Sequence, residues 1–370
     1  MIKIFSYGWH TAHQHSLCSV PGTHFSYISN RVKPSWNESC RPWPNNLDIV
    51  DHYEPGKYDL AILHVDQQCL FGGLKGVPYR ECNKMINDIP KIVINHGTPH
   101  FQNHPPEMIA RMMKDSIGDN LMIVNSHEAR KEWGFGEVIV HGLDPKEWKV
   151  SENDKTTDRI TTVLSPGNSS GDHSQDGWAE YYDRYLFDAV RGNVDVVWVG
   201  KDKKFENFED YRKFLAESLI YFNPTRFSPM PRSRTEAMLL GCCVVTTPYH
   251  DADRFITHGV NGFLFKTEKE AVKILKHLKK NTGLAVKVGM AGRETALEIF
   301  SKKRFDQEWL EKIKKVKRGE ILPNNVTNLK STLLDLYSLM GREEKKDEIG
   351  RLLDVILKDH IKDLYDRYNT

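Results

Sequence analysis

The chain has 370 residues, of which 39% are hydrophobic and 28% charged, with 25 Gly and 17 Pro; that length and balance suit two ordinary domains with sizeable cores and exclude a small binding module or a disordered polymer. Lys plus Arg number 52 against 50 Asp plus Glu, a formal charge of +2, which is too small to make nucleic acid or a membrane the main partner. No secretory leader or membrane span is expected, and six cysteines without CxxC spacing predict buried thiols in the reducing cytoplasm.

In chain order, short apolar runs predict strands at Ile2–Ser6, Asp59–His64, Lys91–Asn95, Leu121–Asn125 and Val138–Val140, with helical stretches at Pro106–Ser116 and His127–Trp133. Apolar strands alternating with helices imply a parallel sheet covered on both faces, so residues 1–152 read as a Rossmann-like domain. The polar stretch 151–158 reads as a linker. Strands at Ile160–Leu164, Val194–Gly200, Leu219–Asn223 and Cys242–Thr247, with helices at Trp178–Val190, Phe208–Ser218, Thr235–Leu240 and Lys269–Lys279, give a second such domain over 153–300. From Phe300 the pattern is helical only, with apolar spacing from Val326 to Tyr368 and Gly341 as the turn of a hairpin. The expected fold class is α/β, two doubly wound parallel-sheet domains facing across a cleft, with a helical extension over 301–370 that packs on its own chain.

Ligands of open parallel sheets sit beyond the carboxyl ends of the strands. The loops there carry Gly8, His10, His13 and His15, then His96 and His100, and in the second half Asn168 within Pro166–Gly171, Gly200 with Lys201, and Asn223–Arg226. The most informative stretch runs from Phe227 to Thr247. Ser233 followed by Glu236 reads as a capping box that starts a helix just after Arg232 and Arg234. Such an end offers bare N–H groups and partial positive charge, and the two arginines add charge-assisted bonds, so a phosphate or diphosphate is the expected occupant.

Glu236-Ala237-Met238-Leu239-Leu240-Gly241-Cys242-Cys243-Val244-Val245, followed by His258-Gly259-Val260-Asn261-Gly262-Phe263-Leu264, resembles the second domain of the retaining GT-B nucleotide-sugar glycosyltransferases, specifically glycosyltransferase family 4 and its relatives. Tyr58–His64, Val124–His127 and Val138–Asp144 agree in order, so the resemblance spans about residues 1–300. It implies a GT-B fold with an acceptor-side first domain and a donor-binding second one. It also implies transfer of a sugar from a nucleoside-diphosphate donor to a hydroxyl of a glycan, glycolipid or similar acceptor, with retention and without an essential metal. By carry-over Glu236 holds the ribose hydroxyls, Gly8 lies beside the diphosphate, His96 contacts the donor sugar, and Lys201 falls on the diphosphate side.

Two departures stand out. The family's first glutamate falls on Ser228, and no carboxylate lies between Phe222 and Thr235; the Arg and Lys that follow the second domain's first strand are absent from Ser165–Gly177. Lys201, Arg232 and Arg234 could replace that charge. Either the donor is held differently or the chain is a noncatalytic GT-B scaffold. A third reading is transfer to modified bases in DNA.

Blander readings stand beside these. Glu236 could serve only its cap, the arginines only salt bridges, and His10, His13 and His15 read as loop histidines rather than a metal site. Asp251-Ala252-Asp253 reads as helix capping, and Gly72–Gly76 as a mobile loop without a following helix start. The basic segment 302–318, with Phe305, Trp309, Ile313 and Val316 at helical spacing, is either solvated lysines over a packed stripe or a contact for an anionic membrane or DNA.

Overall fold

The structure, a computed structural model, describes residues 1–29, 36–101, 103–150, 154–164 and 184–320. Asn168 with its loop and the hairpin from Val326 onward lie outside the described residues. Seven strands form the first sheet: β1 (Ile2–Tyr7), β2 (Thr23–Ile28), β3 (Leu47–Val50), β4 (Leu60–Val65), β5 (Lys91–Asn95), β6 (Leu121–Val124) and β7 (Glu137–Val138), in the order β3-β2-β1-β4-β5-β6-β7. Every pairing is parallel. The second sheet holds β8 (Ile160–Val163), β9 (Val197–Val199), β10 (Ile220–Asn223), β11 (Cys243–Thr246) and β12 (Phe263–Leu264), in the order β12-β11-β10-β8-β9 and again all parallel. All strand carboxyl ends of a sheet therefore share one edge, which puts the connecting loops of each domain together.

Central strands such as β4 and β10 are buried throughout, as continuous apolar runs with helices on either side require. One face of the first sheet packs Ile4, Ile62, Ile92 and Ile94 against Leu17 of α1 (Thr11–Cys18). The other face packs Phe5, Leu63 and Val93 against α2 (Val77–Met85), α3 (Pro106–Ile117) and α4 (His127–Trp133). The second sheet is covered on one side by α5 (Arg184–Arg191) and α9 (Glu268–Lys280), and on the other by α6 (Phe208–Glu217), α7 (Arg232–Leu239) and the short α8 (Ala252–Phe255), while α10 (Thr282–Ile299) enters both cores, through Ala285 and Val288 on the first side and Ala296 on the second.

The last described helix, α11 (Lys302–Lys317), returns to the first domain. Phe305, Trp309, Ile313 and Val316 enter the same core as Ile4 and Ile92. The packed apolar stripe expected for 302–318 thus completes the cover of the first sheet. The charges of this helix are largely paired: Lys302 with Asp306, Arg304 with Glu308 at 2.5 Å, Lys312 with Glu137, Lys315 with Glu311 at 2.6 Å and Lys317 with Asp59 at 2.8 Å. No helix among the described residues is long and apolar enough to cross a membrane. The six cysteines are free thiols, five of them buried.

Candidate functional site in the interdomain cleft

The carboxyl edges of the two sheets face each other across a cleft of about 870 Å³. Trp9, His10, Asp66, Lys75 and His96 line it from the first domain; Gly200, Lys203, Asn223, Ser228, Arg232 and Glu236 line it from the second. Direct bonds tie its walls. Arg232 Nη2 donates to Ser16 Oγ at 2.8 Å, Thr98 Oγ1 to the Phe227 carbonyl at 3.2 Å, and the His141 ring meets the Met230 carbonyl at 3.0 Å.

On the second-domain wall the chain leaves β10, passes Ser228 and enters α7 directly after Pro231, whose φ of −60° suits a helix entry. The expected capping box is not made: α7 begins at Arg232, and neither Ser233 nor Glu236 turns back to cap it. The Ser233 hydroxyl is taken by Tyr221 Oη at 2.7 Å. The chain does form a capping box, at Thr267 with Glu270, where α9 starts. Glu236 is 3% exposed and receives Arg41, Arg232 Nε at 3.2 Å and the Tyr211 hydroxyl at 2.8 Å. Arg41 comes from the first domain, and its guanidinium lies 4.1 Å over the Phe208 ring. Burial pushes the Arg232 guanidinium down to about 10 against the pull of Glu236.

The first-domain wall is built from histidines. His13 and His15, expected in a loop, lie on α1, and His10 stands at its N-cap. His64 at the end of β4 and His96 just after β5 meet ring to ring at 3.0 Å. His13 sits edge-on to His96 with centroids 5.0 Å apart and faces His141 at 5.6 Å. Burial holds all four neutral: His64 and His141 fall to about 3, and His13 and His96 lie well below 6.5. Among the described residues no group of three or more His, Cys, Asp or Glu is arranged to hold a metal ion.

The sequence-predicted residues separate accordingly. His96, Asn223, Arg232 and Glu236 come together on the cleft. Gly8 is buried one residue before Trp9, which lines it. Arg234 turns away: its guanidinium donates to the His250 carbonyl at 2.9 Å and the Tyr249 carbonyl at 3.4 Å, so it braces that loop and leaves the cleft. Lys201 lies 5.0 Å over the Trp198 ring, while Lys203 and Lys204 line the cleft in its stead. Asp251 does cap a helix, though one in the other domain: its carboxylate accepts from His127 N at 2.7 Å and Glu128 N at 2.9 Å, at the start of α4. Gly72–Gly76 is followed by a helix start after all, since a 3-10 turn at Leu74–Gly76 runs into α2. Its Lys75 reaches Asp66 on the cleft wall.

Arg41 and Tyr211 are cleft residues that the sequence did not single out, and Lys75 was read only as part of the Gly72–Gly76 loop. Arg41 and Glu236 are separated by 195 positions, and no local pattern announces such a pair. The proline before Arg232 was the available sign of where α7 begins.

Residues 178–311, just over a third of the chain, match a family described as Glycosyl transferase-like. No curated protein matches the chain. Among solved structures, HepE of Anabaena in complex with UDP and glucose is similar at a TM-score of 0.58 and 16% identity, covering 85% of this chain and 100% of that one. Sucrose-phosphate synthase of Thermosynechococcus elongatus is similar at 0.62 and 12%, covering 86% and 100%. A glycosyltransferase of Rickettsia africae is similar at 0.58 and 12%, covering 85% and 98%. Two parallel α/β sheets of seven and five strands set edge to edge across a cleft, together with these likenesses, give the chain the GT-B fold.

Proposed function

We propose that the chain is a glycosyltransferase that moves a sugar from a nucleoside-diphosphate donor to a hydroxyl acceptor on a glycan, glycolipid or similar molecule, with retention of configuration. The observation that carries this reading is the cleft itself, where the start of α7, Arg232 and Glu236 face His96 across the two sheet edges. The nucleotide lies on the second-domain wall, with Gly8 behind the diphosphate. Its ribose hydroxyls take Glu236, displacing Arg41, and its diphosphate takes the first-turn N–H groups of α7 with Arg232, Lys203 and Lys204. The sugar reaches across to His96, with Asn223 on the opposite side.

As the anomeric bond breaks, negative charge grows on the departing diphosphate, and fixed donors aimed at it stabilise the transition state more than the ground state. These cations and the helix end supply that charge without a divalent metal. Asp66 and Glu236 are the carboxylates on the described cleft lining, and Ser228 lies where the family has its first glutamate. Retention rests on the family resemblance. The UDP and glucose in the HepE complex make uridine nucleotides the first probes.

Calorimetry with a panel of nucleoside diphosphates should give binding, and a screen of sugar nucleotides with mass detection should give hydrolysis or transfer. Binding of none would remove the reading. Binding without turnover of any sugar nucleotide would favour the noncatalytic scaffold, which Ser228 motivates. The remaining alternative, transfer to modified bases in DNA, requires retention of duplex DNA at moderate salt that is lost with Lys314 and Lys315.

A further inference from the structure

We infer that Gln14 and His64 act as positioning residues that set the tautomer of His96, so that this ring presents an N–H to the ligand in the cleft. Gln14, on α1, is 1% exposed. One end of its amide faces the backbone N–H groups of Trp9 at 2.8 Å and His10 at 3.1 Å. Those groups only donate, so that end is the oxygen and the amide has one orientation. Its NH₂ then donates to the Tyr7 carbonyl at 2.8 Å and lies 3.0 Å from His64 Nε2.

An amide NH₂ cannot accept, so His64 Nε2 is the bare nitrogen of its ring. A neutral imidazole has one proton, and for His64 it sits on Nδ1, which lies 3.0 Å from His96 Nε2. His96 Nε2 is therefore the acceptor, and the His96 proton is on Nδ1. The relay needs neutral rings, and burial keeps both neutral, with the neighbouring histidines adding to the effect. The Tyr7 hydroxyl holds the strand end from which His64 projects, accepting from His64 N at 2.8 Å and donating to its carbonyl. The relay thus runs from the turn after β1, through β4, to the residue after β5 that lines the cleft.

The consequence is chemical. His96 in this state donates to a ligand oxygen and is not a proton acceptor, which makes it a hydrogen-bond partner for the sugar rather than a general base. This use of His96 rests on the proposed function; the tautomer is read without any ligand, so the two fail separately.

The test is a long-range proton–nitrogen correlation spectrum of the full chain labelled with 15N-histidine at neutral pH, with His96 assigned by its loss in His96→Gln. The expected spectrum has His96 and His64 both protonated on Nδ1. Gln14→Leu should release the bias and move His96 to a mixture or to the Nε2-protonated form. If Gln14→Leu fails to fold, the wild-type spectrum still decides, and His64→Gln, whose amide NH₂ also donates, should retain the His96 pattern that His64→Leu loses. A purely structural role would change stability and leave the tautomer alone. A wild-type His96 protonated on Nε2, or an unchanged His96 in folded Gln14→Leu or His64→Leu, overturns the inference.

Discussion

The two walls of the cleft hold their buried polar groups by opposite means. On the second-domain side Glu236 sits among Arg41, Arg232 and Tyr211, so charge is kept by pairing it. On the first-domain side His13, His64, His96 and His141 pack ring against ring, and charge is kept out. The paired cluster keeps a buried charge that a ligand must satisfy when it takes a partner's place, whereas the histidine cluster offers only hydrogen bonds and ring faces; the charges on the first-domain side, Asp66 and Lys75, are paired with each other. The difference fits a ligand with a charged end and a neutral end, laid across the cleft in one direction.

Breaking the paired wall should have the largest effect. Glu236→Ala strands two buried guanidinium groups and should lower stability by about 3–5 kcal/mol, seen as a reduced midpoint in denaturant, and should abolish nucleotide binding and transfer. Acid probes the neutral wall. His64 and His141 titrate near 6.5 unfolded and near 3 folded, so the unfolded chain takes up protons first. Their contribution is complete above pH 6.5 and declines as pH falls toward 3, by roughly 1.4 kcal/mol per pH unit for each ring. Unfolding curves between pH 7 and 5 check this, and a slope that is the same in His141→Gln would contradict it.

Smaller changes sharpen the comparison. Asp251→Ala removes the carboxylate that caps α4 from across the cleft and should cost about 2 kcal/mol, with the unfolding transition as readout. Arg41→Met keeps a buried apolar stem but withdraws the competitor for Glu236; nucleoside diphosphate should bind about threefold to tenfold tighter by calorimetry. Weaker binding would make Arg41 a donor ligand instead. Lys203→Ala should weaken the same binding by about fivefold and Lys201→Ala by less than twofold, which separates the lysine on the cleft from the one over Trp198.

Most of the central strands were legible because a buried parallel strand writes itself as an unbroken apolar run. Edge and alternating strands do not: Thr23–Ile28 mixes Thr, His and Ser with aromatics, Leu47–Val50 carries Asp48, and Phe263–Leu264 is two residues long. The position of α7 on the cleft was legible from the Glu236-Ala237-Met238 stretch. The partner of Glu236 was not, because Arg41 arrives from a loop in the other domain. Arg234 misled for a related reason. Two residues along a helix from Arg232 is the opposite face, and that face looks at the Tyr249–His250 turn. The histidines of the first loop were misplaced because no strong periodicity marks α1, whose buried face includes Gln14, His13 and Ser16.

The return of α11 to the first sheet means that, among the described residues, the polypeptide passes between the lobes twice. The two passages run side by side, for Leu143 N donates to the Phe300 carbonyl at 3.1 Å, and Leu143 and Ser301 form a parallel bridge. Arg304 reinforces the seam from beyond it, bonding the carbonyls of Val140 at 3.0 Å and His141 at 2.8 Å. Any spreading of the jaws must bend both passages together, like a door hung on two leaves of one hinge, and this confines the motion to a swing about that seam in place of free tumbling on a single tether.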